Sequence, residues 1–363
     1  MRRRTRSRKK YFIGACFAAM LITPMAAAAM TKAAPKITST VGRITANNTG
    51  VELIDGEEDF LSYGYGYAME SEKSVQADTK RDSEINPGPK PYPESLDNHD
   101  GDIYKTEFGK YSGSKYFSLD NGGQVKNLSD KTNGTLLEES RKQPEFKIEL
   151  NSEPQVLIMH THTTESFEPY ERDFYDSSFN YRTTDPQKNV VMIGDQITKQ
   201  LEDAGINVIH NSTIHDYPSY NGSYDRSAAT VKKILEENPS IKVVLDIHRD
   251  AISSNGTLIQ PTIEIDGKKS AQIMIISGCD DGTMDMPNYM KNFRFAALLQ
   301  QQIENNYPGL ARPILFDYRK YNQNLTTGSL LIEVGTHGNT LEQVSYAGEL
   351  FGKSLADALK QLT

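Results

Sequence analysis

The chain has 363 residues, a net charge of −8, two cysteines, seven histidines and no tryptophan. Two cysteines exclude a disulfide framework and any thiolate-rich zinc or iron–sulfur centre, so a metal here must rest on histidine and carboxylate. Seven Lys and Arg crowd into residues 1–10, so the body is more acidic than the net charge shows, and a basic tip on an acidic body excludes nucleic acid as a partner.

Tyr11–Met30 follows the basic tip as twenty residues without a charge, close to the length needed to cross a bilayer core as a helix. The cations ahead of it hold the N-terminus in the cytoplasm. The expectation is a single-pass cell-membrane protein, with residues 1–30 as cytoplasmic tip and signal anchor and the remainder on the extracytoplasmic side. The small residues Ala26–Ala29 offer the alternative of a cleaved signal peptide. Residues 31–150 are rich in Ser, Thr, Asn, Asp, Gly and Lys, with a proline cluster over Asn86–Pro93. They read as an extended polar linker, interrupted by two strand-like pieces, Val51–Ile54 and Phe146–Leu150.

Past Pro154 short β-branched runs alternate with longer amphipathic segments, the pattern of an α/β domain over residues 151–363. Val156–Met159 reads as a buried strand, Asn189–Ala204 as a helix stopped at Gly205, Ile206–Ile209 as a strand and Ser227–Glu237 as a helix. Val243–Ile247 is a third strand. Thr262–Ile265 and Ala271–Ser277 flank Asp266-Gly267, a tight-hairpin signal. Pro287–Asn306 reads as a long helix, Ser329–Val334 as a buried strand and Thr340–Leu362 as a closing helix. Unbroken apolar strands joined by helices imply a mostly parallel sheet covered on both faces.

Three of these strands end in the same way, with an apolar run and then a histidine or carboxylate. They are Val156–Met159 before His160-Thr161-His162-Thr163-Thr164-Glu165, Val243–Leu245 before Asp246-Ile247-His248-Arg249-Asp250, and Leu330–Ile332 before Glu333-Val334-Gly335. Ligands of open parallel sheets collect at the carboxyl ends of the strands. Two neutral imidazoles and a carboxylate, with a further Glu to carry a proton, are the parts of a hydrolytic zinc site. In His-x-His the two rings point the same way, and Glu333 falls inside an apolar strand, where an unpaired carboxylate is costly. Asp246 reads equally as a structural acid. His210, His215 and His337 are weaker candidates, and His99 falls in the linker.

Together and in this order, His160–Phe167, His248-Arg249-Asp250 and Ile332-Glu333-Val334-Gly335 resemble the stage II sporulation protein P family of endospore formers, over roughly residues 150–363. The resemblance implies a zinc amidase-like α/β fold. It implies a peptidoglycan hydrolase, an N-acetylmuramoyl-L-alanine amidase with endopeptidase activity, working in forespore engulfment beside stage II sporulation proteins D and M. Laid residue by residue on the wider amidases, it makes His162 and His248 zinc ligands and Glu333 the general base. His160 falls where a supporting residue orients the site, and Arg249 becomes a candidate for oxyanion charge or a substrate carboxylate. Those amidases take a third ligand, Glu, from the start of the next helix, and Asp185–Asn189 has none. Glu165 stands in for it, with Glu168 and Glu171 as alternatives. Two rival readings remain: a non-catalytic wall-binding scaffold of the engulfment complex, and another metal-dependent hydrolase built on a His-x-His strand end.

Overall fold

The computed structural model describes residues 90–363. The expected anchor over residues 11–30 and the strand-like Val51–Ile54 lie outside the described residues. Among the described residues no helix is long and apolar enough to cross a membrane.

In chain order the elements begin with β1 (Gly101–Thr106), β2 (Tyr116–Ser118), β3 (Gln124–Asn127), α1 (Asn133–Ser140), β4 (Val156–Met159) and β5 (Phe174–Tyr175). Then come α2 (Val191–Asp203), β6 (Val208–His210), α3 (Ser223–Glu237), β7 (Val243–Asp250), β8 (Ser253–Ser254) and β9 (Thr257–Ile265). The last are β10 (Lys268–Ala271), β11 (Ile273–Cys279), α4 (Tyr289–Asn306), β12 (Ile314–Tyr318), β13 (Ser329–Thr336) and α5 (Leu341–Lys360).

The larger sheet runs β2-β3-β12-β11-β13-β7-β4-β6. β6, β4, β7 and β13 form one parallel block, and β11, β12 and β3 form another. The blocks meet antiparallel between β11 and β13. The fold is therefore mixed α/β. The mostly parallel sheet expected from sequence holds within each block and fails at the junction, because β11 arrives from the β9–β10 hairpin instead of a helical crossover.

Alternation along the strands sorts the two faces. Val156, Ile158, Val243, Leu245, Leu330 and Ile332 pack into the main core with Ile193 and Ile197 of α2, Leu299 of α4 and Leu355 of α5. Leu157, Met159 and Val244 turn the other way, against Val231 of α3. Asp246 and His248 share the parity of Val244, and Glu333 shares that of Leu331, so the reactive residues lie on the α3 side. α5 opens with a capping box, Thr340 and Gln343 satisfying each other's backbone N–H groups.

The β9–β10 hairpin turns on Asp266 and Gly267, at φ 50° and 75°, the doubly left-handed turn that suits strand twist. Its second strand is β10, shorter than the expected Ala271–Ser277. After Ala271 the chain leaves for the larger sheet as β11, while Gln272 donates to the backbone oxygens of Phe108 and Gly309, both at 2.8 Å.

Part of the expected linker is built into this body. β1 pairs parallel with β9 and antiparallel with β5 in a second sheet, and β3 pairs parallel with β12 at the edge of the first. α1 is tied to α4 by Arg294 Nε donating to Glu139 at 2.6 Å. Edge strands leave one row of backbone groups for a partner, and here strands from distant parts of the chain supply it. Phe146–Leu150 forms no strand. Ile148 is buried and donates its N–H to Leu362 O at 2.9 Å, and Phe146 meets Phe295 edge-on.

Candidate active site

β7 and β13 run parallel with His248 opposite Glu333, which makes their side chains neighbours on one face. Met159 stands opposite Asp246 at the end of β4, so the chain that follows passes beside β7. Asp246 pins it there, accepting from Thr161 N at 2.8 Å and Thr161 Oγ1 at 2.6 Å. The turn that results sets the His162 ring perpendicular to His248, with centroids 5.3 Å apart. Glu165 donates its N–H back to His162 O at 3.0 Å, and its carboxylate accepts the backbone N–H of Arg249 at 3.1 Å and lies 3.4 Å from His248 Nδ1. His162, Glu165, His248 and Glu333 are thus brought together from three strand ends.

Their protonation follows from burial and neighbours. Burial holds His162 down at about 3, against the pull of Glu165, so its ring is neutral. Burial would also lower His248, but the carboxylates of Asp246 (2.9 Å from Nε2) and Glu165 outweigh it and hold the ring well above its ordinary value. Glu165 goes the other way: burial alone would raise it, and Arg249 and His248 together hold it well below the usual carboxylate range. Burial pushes Glu333 up to about 8, reinforced by the negative charge of Asp250. Its Oε2 is shut away from solvent without a hydrogen-bond partner, as is His162 Nδ1.

Those lone atoms test whether the site suits a metal. Imidazole and carboxylate are the donors zinc accepts when thiolate is absent, and His162, His248 and Glu165 match that set in kind once His248 gives up the proton that Asp246 and Glu165 hold on it. They are not gathered as a cage: among the described residues no group of three or more His, Cys, Asp or Glu is arranged to hold a metal ion.

The other residues singled out from sequence lie around these four. His160 is sealed, its Nδ1 3.0 Å from Ile247 O and its Nε2 2.9 Å from His210 Nε2. His210 reaches Asp195 at 3.0 Å, and Gly194 makes room for the pair, since a Cβ there would meet His210 Nε2 at 2.3 Å. His215 uses both nitrogens, on His160 O and Thr230 Oγ1. His337 packs against Tyr181.

Arg249 lies inside the turn that carries Glu165. Its guanidinium is buried, donates to the backbone oxygens of Ser166, Asp250 and Tyr181 and lies 4.0 Å from Glu165 Oε1, so it braces the Glu165 turn from inside. Glu168 is buried on Arg172 and Tyr181, and Glu171 is on the surface with Lys105 and Lys269. Of the three candidate glutamates, Glu165 alone reaches His248.

The sequence reading missed the aromatic and cationic wall. Tyr220 stacks on His162 at 4.5 Å, Tyr224 lies parallel to His248 at 6.4 Å, and Tyr321 stacks on Tyr224 at 5.2 Å. Arg182 stands beside them, 2.7 Å from Asp216 and 3.6 Å from Glu165. Nothing in local sequence separates these from the other tyrosines of the chain. Only the loop before α3, the first turn of α3 and the loop after β12 bring them to the strand ends.

The family model described as Stage II sporulation protein P matches residues 67–357. Stage II sporulation protein P of Bacillus subtilis (strain 168) is 32% identical over 222 residues, which cover 56% of this chain and 52% of that protein, so the match spans about half of the relative's length. Among solved structures, the N-acetylmuramoyl-L-alanine amidase AmiC2 of Nostoc punctiforme is 11% identical, with 58% of this chain and 98% of that chain covered and a TM-score of 0.34. The CwlD amidase from Clostridioides difficile, solved with the GerS lipoprotein, is 12% identical over 57% and 98% at 0.36. A metallo-carboxypeptidase from Burkholderia cenocepacia is 9% identical over 66% and 71% at 0.32.

Proposed function

This chain belongs to the stage II sporulation protein P family, and from that premise we propose that it is a zinc-dependent peptidoglycan hydrolase, an N-acetylmuramoyl-L-alanine amidase with endopeptidase activity, working in forespore engulfment. The observation that carries the reading is the in-register pair of His248 and Glu333, with Glu165 and His162 against it and with His162 Nδ1 and Glu333 Oε2 buried without hydrogen-bond partners. In this reading zinc is held by His162, His248 and Glu165, and when bound it acts as a Lewis acid that lowers the pKa of its water and polarises an amide carbonyl.

The chain's own residues supply the rest. Glu333 takes a proton from the attacking water and returns it to the departing amine. Its burial beside Asp250 leaves it protonated at neutral pH without metal, and a cation nearby lowers it toward the working range. Asp246 orients His248 and the His-x-His turn together. Arg249 holds the Glu165 turn, and His160 supports it from behind. Residues 1–30 anchor the protein in the cell membrane with the catalytic domain outside the cytoplasm, in a complex with stage II sporulation proteins D and M.

The test is digestion of purified peptidoglycan by the detergent-solubilised full chain, with zinc content measured and products read by mass spectrometry. Stem peptides freed from glycan are expected for the amidase, and opened cross-links for the endopeptidase. A chain that holds no zinc and releases nothing, alone or with its two partner proteins, would leave the non-catalytic scaffold in its place.

A further inference from the structure

Tyr220 lies nearly flat on His162, the planes 13° apart, with its Oη 3.1 Å from His162 Nε2. The loop that carries it is fixed in place. Arg226 donates to the backbone oxygens of His215, Ser219 and Asn221 at 2.7, 2.6 and 3.0 Å, and Ser223 N–H returns to Tyr220 O at 3.3 Å. The Arg182 guanidinium lies over the same tyrosine ring at 4.8 Å. Tyr220 is 37% exposed, so core packing does not account for it.

A neutral imidazole has one N–H and one bare nitrogen. His162 Nδ1 is buried with no hydrogen-bond partner. If Nε2 were the bare nitrogen, the hydrogen would sit on Nδ1 as a sealed donor with nothing to receive it, which is costly. With the hydrogen on Nε2, Tyr220 Oη accepts it at 3.1 Å, leaving Nδ1 as a buried lone pair. A histidine that binds metal commonly donates its other N–H to a fixed acceptor, which sets tautomer and ring orientation.

We propose that Tyr220 is a positioning residue: by accepting the Nε2 hydrogen of His162 it fixes the tautomer whose bare Nδ1 takes the metal, an assignment that rests on the zinc hydrolase reading. The test is nitrogen-15 spectroscopy of the metal-free full chain in detergent with labelled histidine rings, the His162 signals being identified by their loss in His162→Gln. Titration with zinc alone against a chromogenic chelator accompanies it. The expected result is an Nε2–H tautomer in the wild type, a mixture of tautomers in Tyr220→Phe, and zinc affinity about 10–100-fold weaker in that variant. A merely structural tyrosine would shift the unfolding midpoint and leave the tautomer alone. An Nδ1–H tautomer in the wild type overturns the assignment whether or not the variant folds, and so does a Tyr220→Phe chain with wild-type tautomer and affinity. A chain that shows the Nε2–H tautomer and binds zinc but digests no peptidoglycan supports the role of Tyr220 and removes the hydrolase reading.

Discussion

Two enclosed acids, the fully buried Glu168 and the half-buried Glu333, lie on either side of the Glu165 turn and use their oxygens in opposite ways. Glu168 is completely enclosed, and both its oxygens are used: Oε2 accepts from Arg172 Nε at 2.7 Å and Oε1 from Tyr181 Oη at 2.6 Å. The same cluster reaches back to the start of the described residues, where Arg172 donates to Leu96 O and Tyr92 donates to Phe167 O. Glu333 keeps a sealed Oε2 without a partner, and burial raises the pKa of both acids. Burial alone therefore does not distinguish a working acid from a structural one. A buried acid with every oxygen committed holds a loop, and one left uncommitted at a strand end is available to move a proton.

The largest effects should separate the two. Glu333→Gln should lower hydrolysis by about 10²–10⁴-fold with zinc content unchanged, measured as product release per zinc. His162→Ala and His248→Ala should lose metal and hydrolysis together, so loss of metal in Glu333→Gln would mean that ligand and base had been exchanged. Glu168→Ala should act on stability, because it leaves Arg172 buried and unpaired. About 3–5 kcal/mol is expected by chemical denaturation, with product release per folded molecule intact.

A smaller effect is in the pH dependence of stability. Because the folded value of Glu333 is raised to about 8, its contribution is fully present below the ordinary carboxylate pKa and is lost as pH rises through about 8. Metal-free wild type should therefore lose stability relative to Glu333→Gln between pH 5 and 8, and parallel curves would count against the raised value. The smallest effect is at the far end of the histidine chain. Asp195 is mostly exposed where it meets His210, so Asp195→Asn should cost no more than about 1 kcal/mol and leave hydrolysis unchanged.

Much of this was legible in the chain. β4, β7 and β13 are continuous apolar runs that end in polar residues, and α2 and α5 carry helical spacing with recognisable stops, so the strand-end cluster could be read from order alone. β1, β2 and β3 could not, because runs of three to six residues show no period, and β1 and β3 gain their partners from β9 and β12, far along the sequence. Arg249 shows the opposite limit. Its position beside His248 suggested contact with substrate, but residues of one strand alternate between faces, and its guanidinium turns to backbone oxygens that no sequence pattern reveals. Tyr220 was invisible for the same reason, since its meaning lies wholly in what it stacks upon.

The most direct measurement is a side-by-side digestion of purified peptidoglycan by wild type and Glu333→Gln, with zinc content and mass-resolved products recorded for both. The account predicts matched zinc, stem peptides from the wild type, and almost none from the variant. Equal product release from the two chains would contradict it.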